Sequence, residues 1–217
     1  NFLYDVVDYD EFQRGKKRDG IIMSYYSFLL KLGGSVAAAV QGIMLEQSGF
    51  DPALAVQGEN ALNMIKIMFV CHGNICRSPM AEALFRHMIR EEGLSDKVFI
   101  DSSATSYEEI GNPVHPGTRN KLKKYGISVD NMFASKLKRS DLDEFDYIFT
   151  MDQNNMNNIK REFSEVDQTK VMKFMDLTDH PRDIADPWYT GNFDQTYDDI
   201  HESCLCLMKI IKDRLKV

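Results

Sequence analysis

The ten residues VCHGNICRSP at positions 70–79 decide how this chain folds. An apolar run at 66–70 has the pattern of a short strand and leads into Cys71, and Pro79 stands where a helix is expected to open. Five residues separate Cys71 from Arg77. A loop of this length can turn its backbone N–H groups towards one centre, at the positive end of the following helix. The stretch therefore predicts a strand, a loop that binds a tetrahedral oxyanion such as phosphate, and a helix.

Three side chains of this loop suit the transfer of a phosphoryl group. Inward amides, the helix N-terminus and a guanidinium all stabilise an anionic sulfur, so Cys71 is predicted to be a nucleophile at neutral pH. Arg77 offers a planar fork that can hold two phosphate oxygens and the charge that develops on them. Ser78 is placed to hydrogen-bond the sulfur when it becomes the leaving group.

The remaining loop residues are predicted to shape the phosphate site. Gly73 gives the backbone its conformational freedom, and Asn74 tolerates a left-handed backbone and can pin the loop through its side chain. The other residues expected to contact the bound group are His72, Ile75 and Cys76. The plainer alternative is that the two cysteines are small buried hydrophobes beside a strand. The glycine, asparagine, serine and proline that accompany them favour the phosphate loop.

Downstream of the loop, strand and helix patterns alternate. Strands are predicted at 98–100, weakly within 127–133, at 146–151 and at 171–174, and helices at 79–92, 117–125, 154–163 and 193–216. This alternation predicts an α/β fold, a doubly wound parallel sheet of about four strands with helices on both faces. The phosphate loop would lie at the carboxyl end of the first strand, where such folds bind ligands.

From residue 64 to 217 the chain resembles the low-molecular-weight protein tyrosine phosphatases. Their loop motif is C-x-G-N-x-C-R-S-P, and their general acid lies in a distant Asp-Pro loop, here DPWY at 186–189. The resemblance implies a phosphotyrosine phosphatase I-like fold and hydrolysis of phosphotyrosine monoesters through a cysteinyl-phosphate intermediate. No metal or other cofactor is expected, because Arg77 and the loop amides supply the charge stabilisation that Mg²⁺ gives in kinases.

The Asp-Pro loop is predicted to supply the acid and the walls of the cleft. Pro187 keeps Asp186 extended, and Asp186 would protonate the leaving phenolate and then accept a proton from the attacking water. Trp188 and Tyr189 offer aromatic surface to the substrate. The family presents a further aromatic wall from the loop at 107–116, for which Tyr107 is the candidate, although it stands one place early, with Glu108 at the expected position.

The composition of the chain limits the kinds of partner it can bind and the cellular compartment in which it is expected to work. A net charge of −7 argues against nucleic acid as a partner, since phosphate backbones need a basic face. The cysteines and histidines show no zinc-type spacing, so no metal site is predicted. A thiolate nucleophile implies a reducing compartment, and the cytoplasm is expected. Cys76 is also predicted to form a reversible disulfide with Cys71 that would limit over-oxidation.

Residues 1–63 differ from the rest of the chain. After a basic cluster at 14–18, the run at about 21–45 contains one charge, Lys31, and is long enough to cross a bilayer as an apolar helix. The segment resembles the cytoplasmic loop and penultimate helix of glycoside-pentoside-hexuronide sugar:cation symporters. A soluble amphipathic helix, or a tail folded against the phosphatase, is the alternative. Membrane association is expected only through 21–45.

The expected topology argues that the two segments, 1–63 and 64–217, are joined by accident. The basic cluster would stay in the cytoplasm, so a spanning helix would deliver residue 64 onward to the outside, the wrong side for a thiolate enzyme. Met64 would be the natural start of the phosphatase. Transport by this polypeptide is disfavoured because one helix cannot form an alternating-access bundle.

Two other activities share the fold and loop. Arsenate reductases need two further cysteines to relay a disulfide, and Cys204 and Cys206 stand late in the final helix for that task. Protein arginine phosphatases typically have threonine at the position of Ile75, where a bulkier apolar residue favours the tyrosine enzyme. The expected partners are phosphotyrosine proteins, among them a bacterial tyrosine kinase.

Overall fold

The computed structural model describes residues 64–164 and 169–217. The predicted helix at 21–45 and the proposed boundary near Met64 fall on or beside residues outside these ranges. Within them, no helix combines the length and the apolar character needed to cross a membrane.

The described chain forms one parallel sheet with helices between its strands. The elements in order are β1 (Ile65–Cys71), α1 (Arg77–Glu91), β2 (Val98–Ala104), α2 (Pro116–Lys123), α3 (Arg139–Glu144), β3 (Tyr147–Thr150), α4 (Gln153–Glu162), β4 (Val171–Lys173), a 3-10 helix (Phe174–Leu177), α5 (Pro187–Thr190) and α6 (Phe193–Leu215). The strand order is β2-β1-β3-β4, and every pairing is parallel. Because the chain leaves β1 for β2 on one side and returns to β3 on the other, a crevice opens at the carboxyl end of β1.

The central strand packs on both of its faces. Ile67 and Phe69 lie in the larger core cluster with residues of α1 and α6, whereas Met68 and Val70 lie in a second cluster with residues of α3 and α4. Successive side chains of a strand point to opposite faces, so a strand that is apolar throughout needs cover on both sides. The doubly wound α/β fold with four parallel strands is confirmed.

The weak strand predicted within 127–133 is wrong. Ile127 and Val129 are buried against the larger core, which explains the apolar pattern. The backbone then turns, with the N–H of Met132 donating to the carbonyl of Val129 at 3.1 Å. One isolated antiparallel bridge joins Phe133 to Pro113. Burial of Ile127 and Val129 thus produced the apolar pattern of a strand, but among residues 64–164 and 169–217 this segment pairs with none of the four strands.

Candidate active site

The loop between β1 and α1 is held from outside by its carbonyl groups. The carbonyls of Cys71, His72 and Ile75 accept hydrogen bonds from Thr105, Ser106 and His115 backbone N–H groups at 2.9, 3.0 and 2.9 Å. Asn74 has a left-handed φ of 57°, a conformation that asparagine tolerates. With the carbonyls engaged by other segments, the loop amides are free to face the centre of the loop, as an oxyanion site requires.

Cys71 lines a cavity of about 110 Å³. The sulfur shares a hydrogen bond with the hydroxyl of Ser78 at 3.1 Å and accepts one from the backbone N–H of Asn74 at 3.2 Å. The side chain is buried within the domain, yet it lines this cavity. Cys71 therefore borders the cavity, and its sulfur is hydrogen-bonded to groups of the same loop and helix.

A buried polar network supports the loop from behind. The side-chain amide of Asn74 donates to the hydroxyls of Ser78 and Ser102, each at 2.8 Å, and Ser102 donates to Glu82 at 2.6 Å. Glu82 is 5% exposed, and burial raises its pKa to about 7 even though hydrogen bonds from Ser102 and Arg86 act against the shift. The network connects the sulfur to the buried carboxyl group of Glu82 on α1.

Arg77 is the first residue of α1, and its side chain is buried among hydrogen-bond acceptors. Its guanidinium donates to Asp152 and to Asp186, each at 2.6 Å, and to the carbonyl of Ile184 at 3.0 Å. Burial opposes its charge, but the negative groups at Cys71, Asp186 and Asp152 raise its pKa overall. The Nε atom has no hydrogen-bond partner within the described ranges, although Arg77 is only 3% exposed.

Asp186 reaches the same cavity from the far end of the chain. It caps α5: one carboxylate oxygen accepts from the backbone N–H of Trp188 at 3.1 Å, and the other accepts from Arg77. Its backbone is extended, as expected of a residue before proline. The short helix ends at Gly191, whose φ of 68° suits glycine. Cap and ion pair together hold the carboxylate at the cavity wall.

The mouth of the cavity is formed by exposed side chains. Trp188 and Tyr189, 56% and 83% exposed, line it together with Glu108 and Glu109. His72 is exposed at the rim, where its Nε2 atom lies 3.2 Å from a carboxylate oxygen of Glu108. Aromatic and carboxylate side chains thus both contribute to the lining.

Tyr107 is not brought to this mouth, contrary to the sequence-based expectation. It is 74% exposed, and its ring lies 5.1 Å from the ammonium of Lys136, away from the lining of the cavity. The offset of one residue noted in the sequence explains the outcome, because Glu108 occupies the place where the wall residue was expected. The remaining predicted site residues all contribute to the loop or to the cavity.

Three site residues were missed by sequence reasoning: Asp152, Ser102 and Glu82. A signal existed for Asp152, which follows a predicted strand directly and precedes a predicted helix, so it had to lie at the carboxyl edge of the sheet. Glu82 stands in a helix pattern where a charged residue normally faces solvent, and nothing local marks it as buried.

The other cysteines are buried or distant from the cavity. Burial raises the pKa of Cys76 to about 12, so this group is a neutral thiol near pH 7, and the structure shows Cys71 and Cys76 as free cysteines. Cys204 is buried in α6, and neither it nor Cys206 lines the cavity. In residues 64–164 and 169–217, no three His, Cys, Asp or Glu side chains are grouped to hold a metal ion.

Fold and site together define a class: a small α/β phosphatase built around a cysteine-containing phosphate loop. A family model described as low molecular weight phosphotyrosine protein phosphatase matches residues 66–217. The chain belongs to this family. A second model, MFS/sugar transport protein, matches residues 1–89. The two matches overlap at 66–89, where the structure has the strand, loop and first helix of the phosphatase fold.

Relatives with curated names support the assignment. The chain is 40% identical over 151 residues to the low molecular weight protein-tyrosine-phosphatase YfkJ of Bacillus subtilis, covering 69% of this chain and 97% of the relative. It is 42% identical over 152 residues to PtpA of Staphylococcus epidermidis, covering 69% and 96%. The crystal structure of YfkJ superposes with a TM-score of 0.68, covering 70% of this chain and 96% of that one. The Drosophila arginine phosphatase DARP is more distant, with 28% identity, a TM-score of 0.61 and coverage of 68% and 98%.

Proposed function

We propose that this chain hydrolyses phosphotyrosine monoesters of proteins through a phosphorylated Cys71. The observation that carries the proposal is Arg77, a buried guanidinium beside the sulfur whose Nε has no acceptor within the described ranges. A buried donor without an acceptor is costly, and a phosphate oxygen is the acceptor that this fork suits. Membership of the phosphatase family supports the same reaction.

In the first step, the sulfur of Cys71 attacks phosphorus while the bond to the tyrosine oxygen breaks. Asp186, which must be protonated in the complex with substrate, donates its proton to that oxygen, so tyrosine leaves as the neutral phenol. Arg77 and the loop amides hold the equatorial oxygens as charge spreads over them. The product of this step is the cysteinyl phosphate and a carboxylate at Asp186.

In the second step, water attacks phosphorus and gives a proton to Asp186, and the bond between phosphorus and sulfur breaks. The sulfur departs as a thiolate, stabilised by the hydroxyl of Ser78 at 3.1 Å and the N–H of Asn74 at 3.2 Å. Phosphate leaves, and the enzyme returns to its starting protonation state.

The walls of the cavity suit an aromatic ester. Trp188 and Tyr189 offer flat surfaces to the phenyl ring of the substrate, while the phosphoryl group sits among loop residues. The loop residues proposed to surround the phosphoryl group are His72, Gly73, Asn74, Ile75, Cys76 and Ser78. Tyr107 is left out of this set because it lies away from the cavity.

The direct test replaces Cys71 with serine. Cys71→Ser should lower turnover of phosphotyrosine peptides to background, since the serine hydroxyl is a far weaker nucleophile, while phosphate or vanadate binding measured by calorimetry persists. Intact-mass spectrometry of rapidly quenched wild-type enzyme should show a phosphoryl adduct on this residue. Turnover by the serine variant would contradict the proposal.

Arginine phosphatase activity is the second candidate, and the similarity to DARP is the observation in its favour. Ile75 argues against it: its side chain is buried and lines the cavity, where an apolar branched residue suits a phenyl ring better than a guanidinium. Comparing kcat/KM for phosphoarginine and phosphotyrosine decides between them. We expect the phosphotyrosine value to be higher.

We also propose that 64–217 is a self-sufficient phosphatase domain that works in the reducing cytoplasm, and that 1–63 is a transporter-like fragment joined by accident. Proposed substrates include an autophosphorylating tyrosine kinase of the same cell. Kinetics of residues 64–217 should equal those of the full chain. Sequencing across the locus should show no single continuous reading frame, and a full-length transcript would contradict the accidental join.

A further inference from the structure

His115 contacts two of the loops that line the cavity, the phosphate loop and the loop that carries Trp188. Its backbone N–H donates to the carbonyl of Ile75 in the phosphate loop at 2.9 Å. Its Nδ1 atom accepts from the backbone N–H of Gly117 at 3.1 Å and so caps the N-terminus of α2. The proton of the neutral ring is then on Nε2. The backbone of His115 therefore supports the phosphate loop, while its side chain caps α2.

The imidazole ring is also part of an aromatic layer. It stacks on Phe193, with ring centroids 5.2 Å apart and planes 6° apart, and it meets Trp188 edge to face at 5.6 Å and 73°. Phe193 can lie flat at this position because residue 117 is glycine: a Cβ atom there would be 2.3 Å from the phenyl ring. The layer runs from the start of α6, through His115, to the wall of the cavity.

We propose that His115 is a positioning residue for the substrate: its ring holds Trp188 in place as the aromatic wall. Trp188 is more than half exposed, and its contact with His115 supports one side of an indole that must pack against the phenyl ring of the substrate. If the side chain of Trp188 is already held in place, substrate binding loses less free energy to ordering it. The inference rests on the proposed function, because it assigns His115 to the same reaction.

The geometry separates the effect on binding from the effect on chemistry. Asp186 is held by Arg77 at 2.6 Å independently of His115. The hydrogen bond to Ile75 comes from the backbone of His115, so it survives replacement of the side chain. Loss of the ring should therefore raise KM for an aromatic ester, leave kcat within about twofold, and leave inhibition by inorganic phosphate unchanged.

Two variants distinguish the effect of the ring contacts of His115 from the effect of its capping hydrogen bond. His115→Asn keeps a side-chain acceptor for the N–H of Gly117 but removes the ring, whereas His115→Phe keeps both ring contacts but removes the acceptor. We expect His115→Asn to raise KM for a phosphotyrosine peptide about 2- to 10-fold, the range for an aromatic pair. His115→Phe should restore a KM near that of the wild type and instead lower the thermal midpoint. His180→Asn, the same change at an exposed residue, is the control.

Trp188 is the sole tryptophan of the chain, so tryptophan fluorescence reports on this side chain alone. His115→Asn should lower the fluorescence anisotropy of Trp188 because the indole gains freedom, and His115→Phe should retain the wild-type value. In a Trp188→Ala background, His115→Asn should cause no further rise in KM, since the wall is already gone.

Three results would overturn the inference. In the first, His115→Asn has the KM and the anisotropy of the wild type; in the second, KM is raised in His115→Phe but normal in His115→Asn. In the third, His115→Asn raises KM further in the Trp188→Ala background. The first would leave the ring without a role, and the second would make the cap responsible. None of these results bears on the proposed function, which is tested separately by Cys71→Ser and by the comparison of phosphotyrosine with phosphoarginine.

Discussion

The back and the mouth of the cavity are built in opposite ways. Behind the loop, Asn74, Ser78, Ser102 and Glu82 are buried and joined by hydrogen bonds of 2.6 to 2.8 Å. At the mouth, Trp188 and Tyr189 are mostly exposed. Bond making at phosphorus needs groups fixed within fractions of an ångström, which buried and fully paired polar groups provide. Recognition of a protein surface needs accessible side chains. Substitutions at the back should therefore affect chemistry and stability, and those at the mouth should affect KM.

The largest effect is expected for Arg77→Lys, which changes the centre of the site while keeping its charge. A lysine cannot bridge Asp152 and Asp186 and also offer a fork to phosphate, so kcat/KM should fall about 1,000-fold or more. Steady-state kinetics with a phosphotyrosine peptide measure the loss. Lys173→Arg, the reverse change at a surface ion pair, is the control and should remain active. A loss below about tenfold would show that the fork is dispensable.

Asp186→Ala should come next, with kcat lowered about 100- to 1,000-fold for phosphotyrosine because the leaving phenolate receives no proton. An ester with a strongly acidic leaving group needs less help and should lose much less. Rates for a series of aryl phosphates of different leaving-group acidity measure the contrast. Equal losses across the series would remove Asp186 from the role of acid.

Glu82→Gln tests the buried hydrogen-bond network behind the phosphate loop, because the carboxyl group of Glu82 titrates and glutamine does not. The pKa of Glu82 in the fold, about 7, lies above its ordinary value of 4.5, so the folded protein binds more protons than the unfolded chain between these values. The free energy of unfolding of the wild type should therefore decrease as pH rises from 4.5 to 7, by about 3 kcal/mol from this group, and level off above.

In Glu82→Gln this decrease should be absent, because glutamine does not ionise. Urea unfolding at several pH values between 5 and 8 measures the difference between wild type and variant. Glu91→Gln, an exposed glutamate of the same helix, is the control and should follow the wild type. Parallel curves for Glu82→Gln and wild type would show that the carboxyl group does not titrate in this range.

The smallest effect is expected at the rim, for Glu108→Gln. His72 and Glu108 lie 3.2 Å apart, but their side chains are 46% and 73% exposed, and an exposed ion pair contributes little. Thermal stability should change by less than about 0.5 kcal/mol, and kcat should stay within about twofold. A large fall in kcat would place this carboxylate in the chemistry and would break the contrast between back and mouth.

The local sequence pattern predicted those elements whose formation depends on residues close by in the chain. The strand, the loop and helix α1 follow one another within 27 residues, Ile65 to Glu91, and were predicted together. Helix α1 begins at Arg77, two residues before the predicted start at Pro79, because proline is tolerated in the first turn. The predicted strand within 127–133 failed because burial against the core, not pairing with another strand, produced its apolar pattern.

By itself, the sequence determined the alternation of strands and helices after the phosphate loop, the phosphate loop with its cysteine and arginine, and the family. Only the tertiary structure decided that Asp152 would share Arg77 with Asp186, that Glu82 would be buried behind the loop, and that Glu108 rather than Tyr107 would face the cavity. The reason is physical. Backbone propensity and periodicity act over a few residues, whereas the burial and ion pairing of a side chain depend on segments 20 to more than 100 residues away, as in the pairs Glu82–Ser102 and Arg77–Asp186.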